Sequence, residues 1–120
     1  MRYRVMNVTR NTLLGTDVRV ASTFSTRLKG LMGVERLPMG EGLHIVPCTS
    51  VHTFFMKIPI DVLFLDANLK VVDVSHAMKA WRMSRIYFDA RSVLELPMGV
   101  AVGSQTESGD QLRFSEAASS

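Results

Sequence analysis

Apolar and polar residues alternate through "YRVMNV" and "GTDVRVAS", so that every second side chain falls on one face. That period of two is the pattern of half-buried strands. Between them, "TRNT" from Thr9 to Thr12 has the composition of a turn, and the two segments are expected to form an opening hairpin. The period then changes. In "STFSTRLKGLMGVE", Leu28, Leu31 and Met32 fall at i, i+3 and i+4, Ser25 can cap, and Gly30 or Gly33 marks a stop. This predicts one short α-helix near residues 25-33. "RLPMGEG", Arg36 to Gly42, reads as a loop from its Pro and Gly content.

From Gly42 onward the strand pattern dominates, through "GLHIV", "SVHTFFM", "IDVLFL", "KVVDV", "SVLEL", "GVAVG" and "QLRF". Short strands in succession, without intervening helical periods, indicate a mainly β fold: a β-sandwich or a partly closed barrel. Val62 to Leu65 is apolar on both faces and is expected to be a central strand, with Asp66-Ala67-Asn68 turning the chain into "KVVDV". A single domain over residues 1-115 is expected, with a frayed tail at 116-120. No repeat or low-complexity tract divides it.

Composition supports this picture without adding a function. The chain has 120 residues, 47% apolar and 21% charged, an ordinary globular mixture long enough to bury one core. Its net charge is +3 and no run of five or six like charges occurs. One cysteine excludes an intrachain disulfide. The N-terminus lacks the apolar run of a signal segment, and no stretch approaches the roughly 18 residues that span a bilayer. A soluble, cytoplasmic protein is the expectation.

The chemistry concentrates in "PCTSVHTFFMKIPIDVLFLD", where Cys48, His52 and Met56 recur every four residues. On a helix the three would share a face and could hold a soft ion. The β-branched Thr49, Val51 and Thr53, the aromatic Phe54 and Phe55, and Pro59 favour an extended chain instead. In a strand, at roughly 3.3 Å per residue, successive members of the series lie about 13 Å apart, too far for one metal or for a thiol and its base. Cys48 then reads as an inert packed thiol. Soft-metal binding and a hydrolase-like site using His52 with Cys48 or a carboxylate remain as alternatives. Asp61 and Asp66, five residues apart on a strand, face opposite ways, so Asp61 is expected to accept hydrogen bonds from a turn and Asp66 to start the hairpin turn. No P-loop, dinucleotide-binding, nucleophile-elbow or zinc-protease motif occurs.

A second cluster, "KAWRMSRIY", interleaves Lys79, Arg82 and Arg85 with Trp81 and Tyr87. Such a set can stack bases, but a surface loop with arginine stems over a ring is the commoner origin, and the rest of the chain lacks a basic stripe. Nucleic acid is not the expected partner.

The order "LKGLMG", "EGLHIVPC", "SVHTFFMKIPIDVLFLD" followed by "KVVDV", "AWR", "VLELPMGVA" and "SGDQL" resembles the bacterial and archaeal domain of unknown function 192 family, from Leu28 to about Phe114. The resemblance implies a mainly β domain with one short helix; it does not imply an activity. Its pattern falls on Gly30, Leu31, Met32, Gly42, His52, Phe55, Met56, Pro59, Asp61, Asp66, Glu95, Leu96, Pro97, Gly99 and Gly109-Asp110. Family members often carry an N-terminal signal or membrane segment, and this chain shows none; extracytoplasmic placement rests on that analogy alone.

Packing and turns explain most of these residues. They explain His52, Met56, Lys57, Arg82 and Glu95 least well, and with Trp81 these form a candidate ligand-binding cleft of mixed charge beside thioether and aromatic surface. The expected function is a non-enzymatic accessory domain that binds a small molecule or a protein, with no catalytic residue, no metal ligand and no cofactor.

Overall fold

The computed structural model describes residues 1–53 and 56–117, apart from the side chain of Phe24. The chain forms β1 (Arg2–Asn7), β2 (Thr12–Ala21), α1 (Phe24–Lys29), β3 (Glu41–Ile45), β4 (Ile60–Leu65), β5 (Val71–Met78), β6 (Ser92–Pro97), α2 (Val100–Gly103) and β7 (Leu112–Glu116). The strands make one sheet in the order β5-β4-β6-β3-β2-β1-β7. All pairs are antiparallel except β2 with β3, which α1 connects as a crossover.

The sheet curls until its two edges approach. The start of β5 meets the residues before β7 through Val71 N–H to the Asp110 carbonyl (2.8 Å), Leu112 N–H to the Leu69 carbonyl (3.1 Å) and a bridge between Lys70 and Gln111. Partial closure protects edges that would otherwise offer unpaired backbone groups. It also gives the sheet two apolar faces. Leu63, Leu65, Leu94 and Leu96 point inward with Val5, Val18 and Leu112 from the far strands. Ile60, Val62, Phe64 and Val93 point outward, where Leu31, Val51, Met56 and Tyr87 cover them. This two-sided burial is why β4 and β6 are buried at every position and why "IDVLFL" reads as apolar throughout.

The opening hairpin and the β4–β5 hairpin form as expected. Asp66 starts the latter, accepting from Asn68 N–H (2.8 Å) and Lys70 N–H (2.9 Å). Asp61 is buried and accepts from the N–H groups of Ala77 (2.8 Å), Gly99 (3.0 Å) and Ala101 (2.9 Å).

Three expectations are corrected. "GVAVG" is helix α2 rather than a strand. Gly99 enters it at φ 95, and the Asp61 carboxylate takes up N–H groups at its start, where an anion is favoured. The domain therefore has a second short helix. The described residues of "SVHTFFM", 50–53 and 56, belong to no strand either: His52 makes an isolated bridge with Met83, and Phe54 and Phe55 lie outside the described residues. Finally, α1 starts before Ser25 and ends at Lys29. Its cap is Thr23, which forms a capping box with Thr26, and Gly30 closes it at φ 48. β7 includes Glu116, and residues 118–120 lie outside the described residues.

Candidate functional site

After β3 the chain leaves the sheet and crosses its outward face as a segment whose described residues are 46–53 and 56–59, and β4 follows. This segment is fastened to the β5–β6 loop, residues 79–91. Cys48 N–H donates to the Arg91 carbonyl (2.9 Å), Tyr87 N–H to that of Thr49 (2.8 Å), Ser84 N–H to that of Val51 (2.9 Å), and Thr53 N–H to that of Arg82 (2.8 Å). Side chains complete the seam. Val51 N–H donates to Ser84 Oγ and Arg82 N–H to Thr53 Oγ1, each at 2.9 Å. Because side chains replace ladder partners, the segment is pinned without becoming a strand, although its β-branched residues suit an extended chain.

Beneath this segment and the end of α1 lies a small cavity of about 60 Å³. Arg27, Leu28 and Gly30 to Met32 line it from the helix side, Cys48 and Ser50 to His52 from the crossing segment, and Glu95 from β6. The extended geometry that would separate Cys48 from His52 does not occur, and both side chains border one space. A wider groove of about 610 Å³ adjoins it, lined by Met32, Gly33, Met56, Lys57 and Trp81. Met32 and Met56 belong to both.

Five of the six residues singled out by sequence thus border these two spaces. His52 and Glu95 line the first, Lys57 and Trp81 the second, and Met56 both. Lys57 pairs with Glu35 at 3.0 Å on the surface. Arg82 lines neither: its backbone holds Thr53 and its side chain is exposed. The sequence reading missed Arg27, Leu28 and Met32 as lining groups and treated Cys48 as packing. Gly30, Leu31 and Met32 stood in the family pattern, so a signal was present, but it reads equally well as helix termination.

Glu95 is the unusual group. It sits on an interior strand at 2% exposure, between Leu43 and Val62, and its Oε1 has no hydrogen-bond partner among the described residues. Burial raises its pKa from 4.5 to about 7. Oε1 approaches the helix end closely, since a Cβ on Gly30 would lie 3.5 Å from it.

Cys48 is half-buried, and its thiol donates to the Ser50 carbonyl at 2.9 Å. Burial pushes its pKa up, the Ser50 contact draws it partly back, and Glu95 adds to the rise. This is the state of a thiol rather than a thiolate nucleophile. Among the described residues, no three His, Cys, Asp or Glu side chains are grouped to hold a metal.

Among the described residues no helix is long and apolar enough to cross a membrane. Comparison with known proteins extends the fold to relatives. A UPF0127 protein of Pyrococcus horikoshii is 35% identical over 115 residues, which cover 92% of this chain and 97% of the relative. Another, from Pyrococcus furiosus, is 34% identical with the same coverage. Two solved structures share the fold at low identity. A protein of unknown function from Novosphingobium aromaticivorans has a TM-score of 0.81 at 19% identity, covering 94% of this chain and 84% of its own. A putative transcription regulator from Sinorhizobium meliloti has a TM-score of 0.79 at 20% identity, with 94% and 92% covered. The profile of the DUF192 family, described as Uncharacterized ACR, matches residues 5–114, and the chain belongs to that family.

Proposed function

We propose that this chain is a non-enzymatic binding domain whose ligand, a small molecule or a short protein segment, occupies the cleft between α1 and the crossing segment. One observation carries the reading: a carboxyl group buried to 2% exposure, with an unpartnered oxygen, borders a cavity that opens beside a groove of thioether and indole surface. An unsatisfied buried acceptor is destabilising by about 1–3 kcal/mol, and a ligand that donates a hydrogen bond to it removes that penalty on binding. Met32, Met56 and Trp81 would meet the apolar part of such a ligand, with methionine surfaces adapting to its shape. His52 and Arg27 add polar groups to the lining of the smaller cavity. A cytoplasmic location belongs to the same reading; the one cysteine gives no sign of an oxidising compartment.

The competing hydrolase reading has Cys48, His52 and Glu95 around one cavity. The thiol's half-burial, which raises its pKa, counts against it. Iodoacetamide should therefore alkylate Cys48 at neutral pH more slowly than it does a free cysteine; fast, His52-dependent alkylation would favour the enzyme.

The binding reading is tested by thermal-shift titration with primary amines, amides, carboxylic acids and tripeptides. At least one class should stabilise the wild type, as any ligand specific for the folded state must, and should change the emission of Trp81. The stabilisation should be lost in Glu95→Gln and Met56→Ala. Retention of the full shift in both folded variants, or no shift with any class, contradicts the reading.

A further inference from the structure

The β5–β6 loop carries a surface that, apart from Trp81 at the rim of the groove, the cleft does not use. Within eight residues it exposes Trp81 (56%), Met83 (71%), Ile86 (53%) and Phe88 (81%). The other large exposed apolar residues are spread thinly from Met1 to Val102. Scattered single residues of that kind are normal on a folded protein, whereas a concentration marks an interaction surface.

The charge is equally concentrated. Residues 79–91 hold Lys79, Arg82, Arg85 and Arg91 against one acid, Asp89, a net of +3. The whole chain is also +3, from 14 basic and 11 acidic residues, so the remaining ten basic and ten acidic residues balance. All four cations are exposed, and among the described residues none pairs with a carboxylate. Arg85 instead lies 3.8 Å from the Tyr87 ring centre, and Arg91 donates to the Phe88 and Ala90 carbonyls at 3.0 Å. The loop backbone is meanwhile bound to residues 48–53. A fixed backbone thus presents apolar side chains together with cations that have no carboxylate partner among the described residues.

We propose that this loop docks the domain on an anionic lipid surface, with Trp81, Met83, Ile86 and Phe88 entering the headgroup boundary and the four cations meeting lipid phosphates and carboxylates. Indole and long apolar side chains suit that interface, and cations near it are drawn by the negative surface potential. A nucleic-acid partner fits less well, because Met83 and Ile86 offer no ring on which a base could stack. A second copy of the chain would bring the same cations together.

The test is co-sedimentation of the full chain with phosphatidylcholine vesicles, with and without phosphatidylserine, at low and high salt. Binding is expected only to the vesicles that contain phosphatidylserine, with a blue shift of Trp81 emission and weakening by salt. Arg82→Gln should lower the partition coefficient about five-fold, and Phe88→Ser or Met83→Ser should lower it further. Both positions are exposed, so these variants should keep the fold. The proposal is overturned by equal binding to neutral vesicles, or by no binding to anionic ones. It is also overturned if the Phe88→Ser and Met83→Ser variants bind undiminished, if a single-stranded oligonucleotide displaces the vesicles, or if concentration-dependent dimers bury Phe88.

Discussion

Two buried ionisable residues, Glu95 and His44, lie on opposite faces of the sheet and oppose one another in pH. Burial raises the Glu95 pKa from 4.5 to about 7, so the unfolded chain ionises first, and stability falls as pH rises through that window. The loss from this group amounts to about 3 kcal/mol above the window. His44 packs its ring 4.5 Å from that of Phe114, and burial lowers its pKa from 6.5 to about 4. Its share of stability is complete above pH 6.5 and is lost as pH falls toward 4. Where the windows overlap the two slopes nearly cancel. Urea unfolding from pH 4 to 8 should therefore show little net slope from this pair in the wild type. Glu95→Gln should reveal a rise with pH, becoming roughly 2–3 kcal/mol more stable than the wild type near pH 8. His44→Gln should reveal the fall. Glu95 was legible in the sequence as a charged residue within an apolar run. His44 stood in a similar run, but nothing local told which face of the curled sheet it would occupy.

At the scale of elements, the misread segments share one cause: partners far along the chain override local pattern. "GVAVG" has strand composition, yet a carboxylate 38 and 40 residues away binds the N–H groups of Gly99 and Ala101 and sets a helical turn. Asp61→Ala leaves those two groups and Ala77 N–H without that partner. It should destabilise by about 3–5 kcal/mol in chemical denaturation, whereas a change under about 1 kcal/mol would show that water replaces the carboxylate. The strand β3 carries a second local demand. A Cβ on Gly42 would stand 2.9 Å from both the Glu95 carbonyl oxygen and Leu96 Cδ2. Gly42→Ala should cost about 1–3 kcal/mol through displacement of β6. The hairpins, by contrast, were legible because a turn and two alternating segments are local information.

Across the whole molecule, curling creates both the inward core and the outward face on which the cleft lies. A mainly β fold was readable from strand density; the closure was not, since it depends on residues near 70 meeting residues near 111. Asp110 anchors that seam. It is buried, and it accepts from Asn7 Nδ2 (3.0 Å), Arg10 Nε (3.0 Å) and Glu107 N–H (3.1 Å). Burial alone would raise its pKa, but the hydrogen bonds from Arg10, Asn7 and Glu107 carry it below the ordinary value. Its contribution is present above the unfolded pKa and is lost as pH falls through the lowered one, so Asp110→Asn should lack that acid-dependent loss.

The cleft residues came from distant segments as well, which is why sequence could nominate Glu95, His52 and Met56 without showing that they border one space. Everything proposed for the cleft rests on Glu95 being buried and unpartnered there. The direct measurement is a carbon-13 NMR titration of the Glu95 side-chain carboxyl in the folded protein. The account predicts a midpoint near 7. A midpoint at the ordinary value of 4.5 would contradict it, placing the carboxylate in water or against a cation and leaving the cavity without its unsatisfied acceptor.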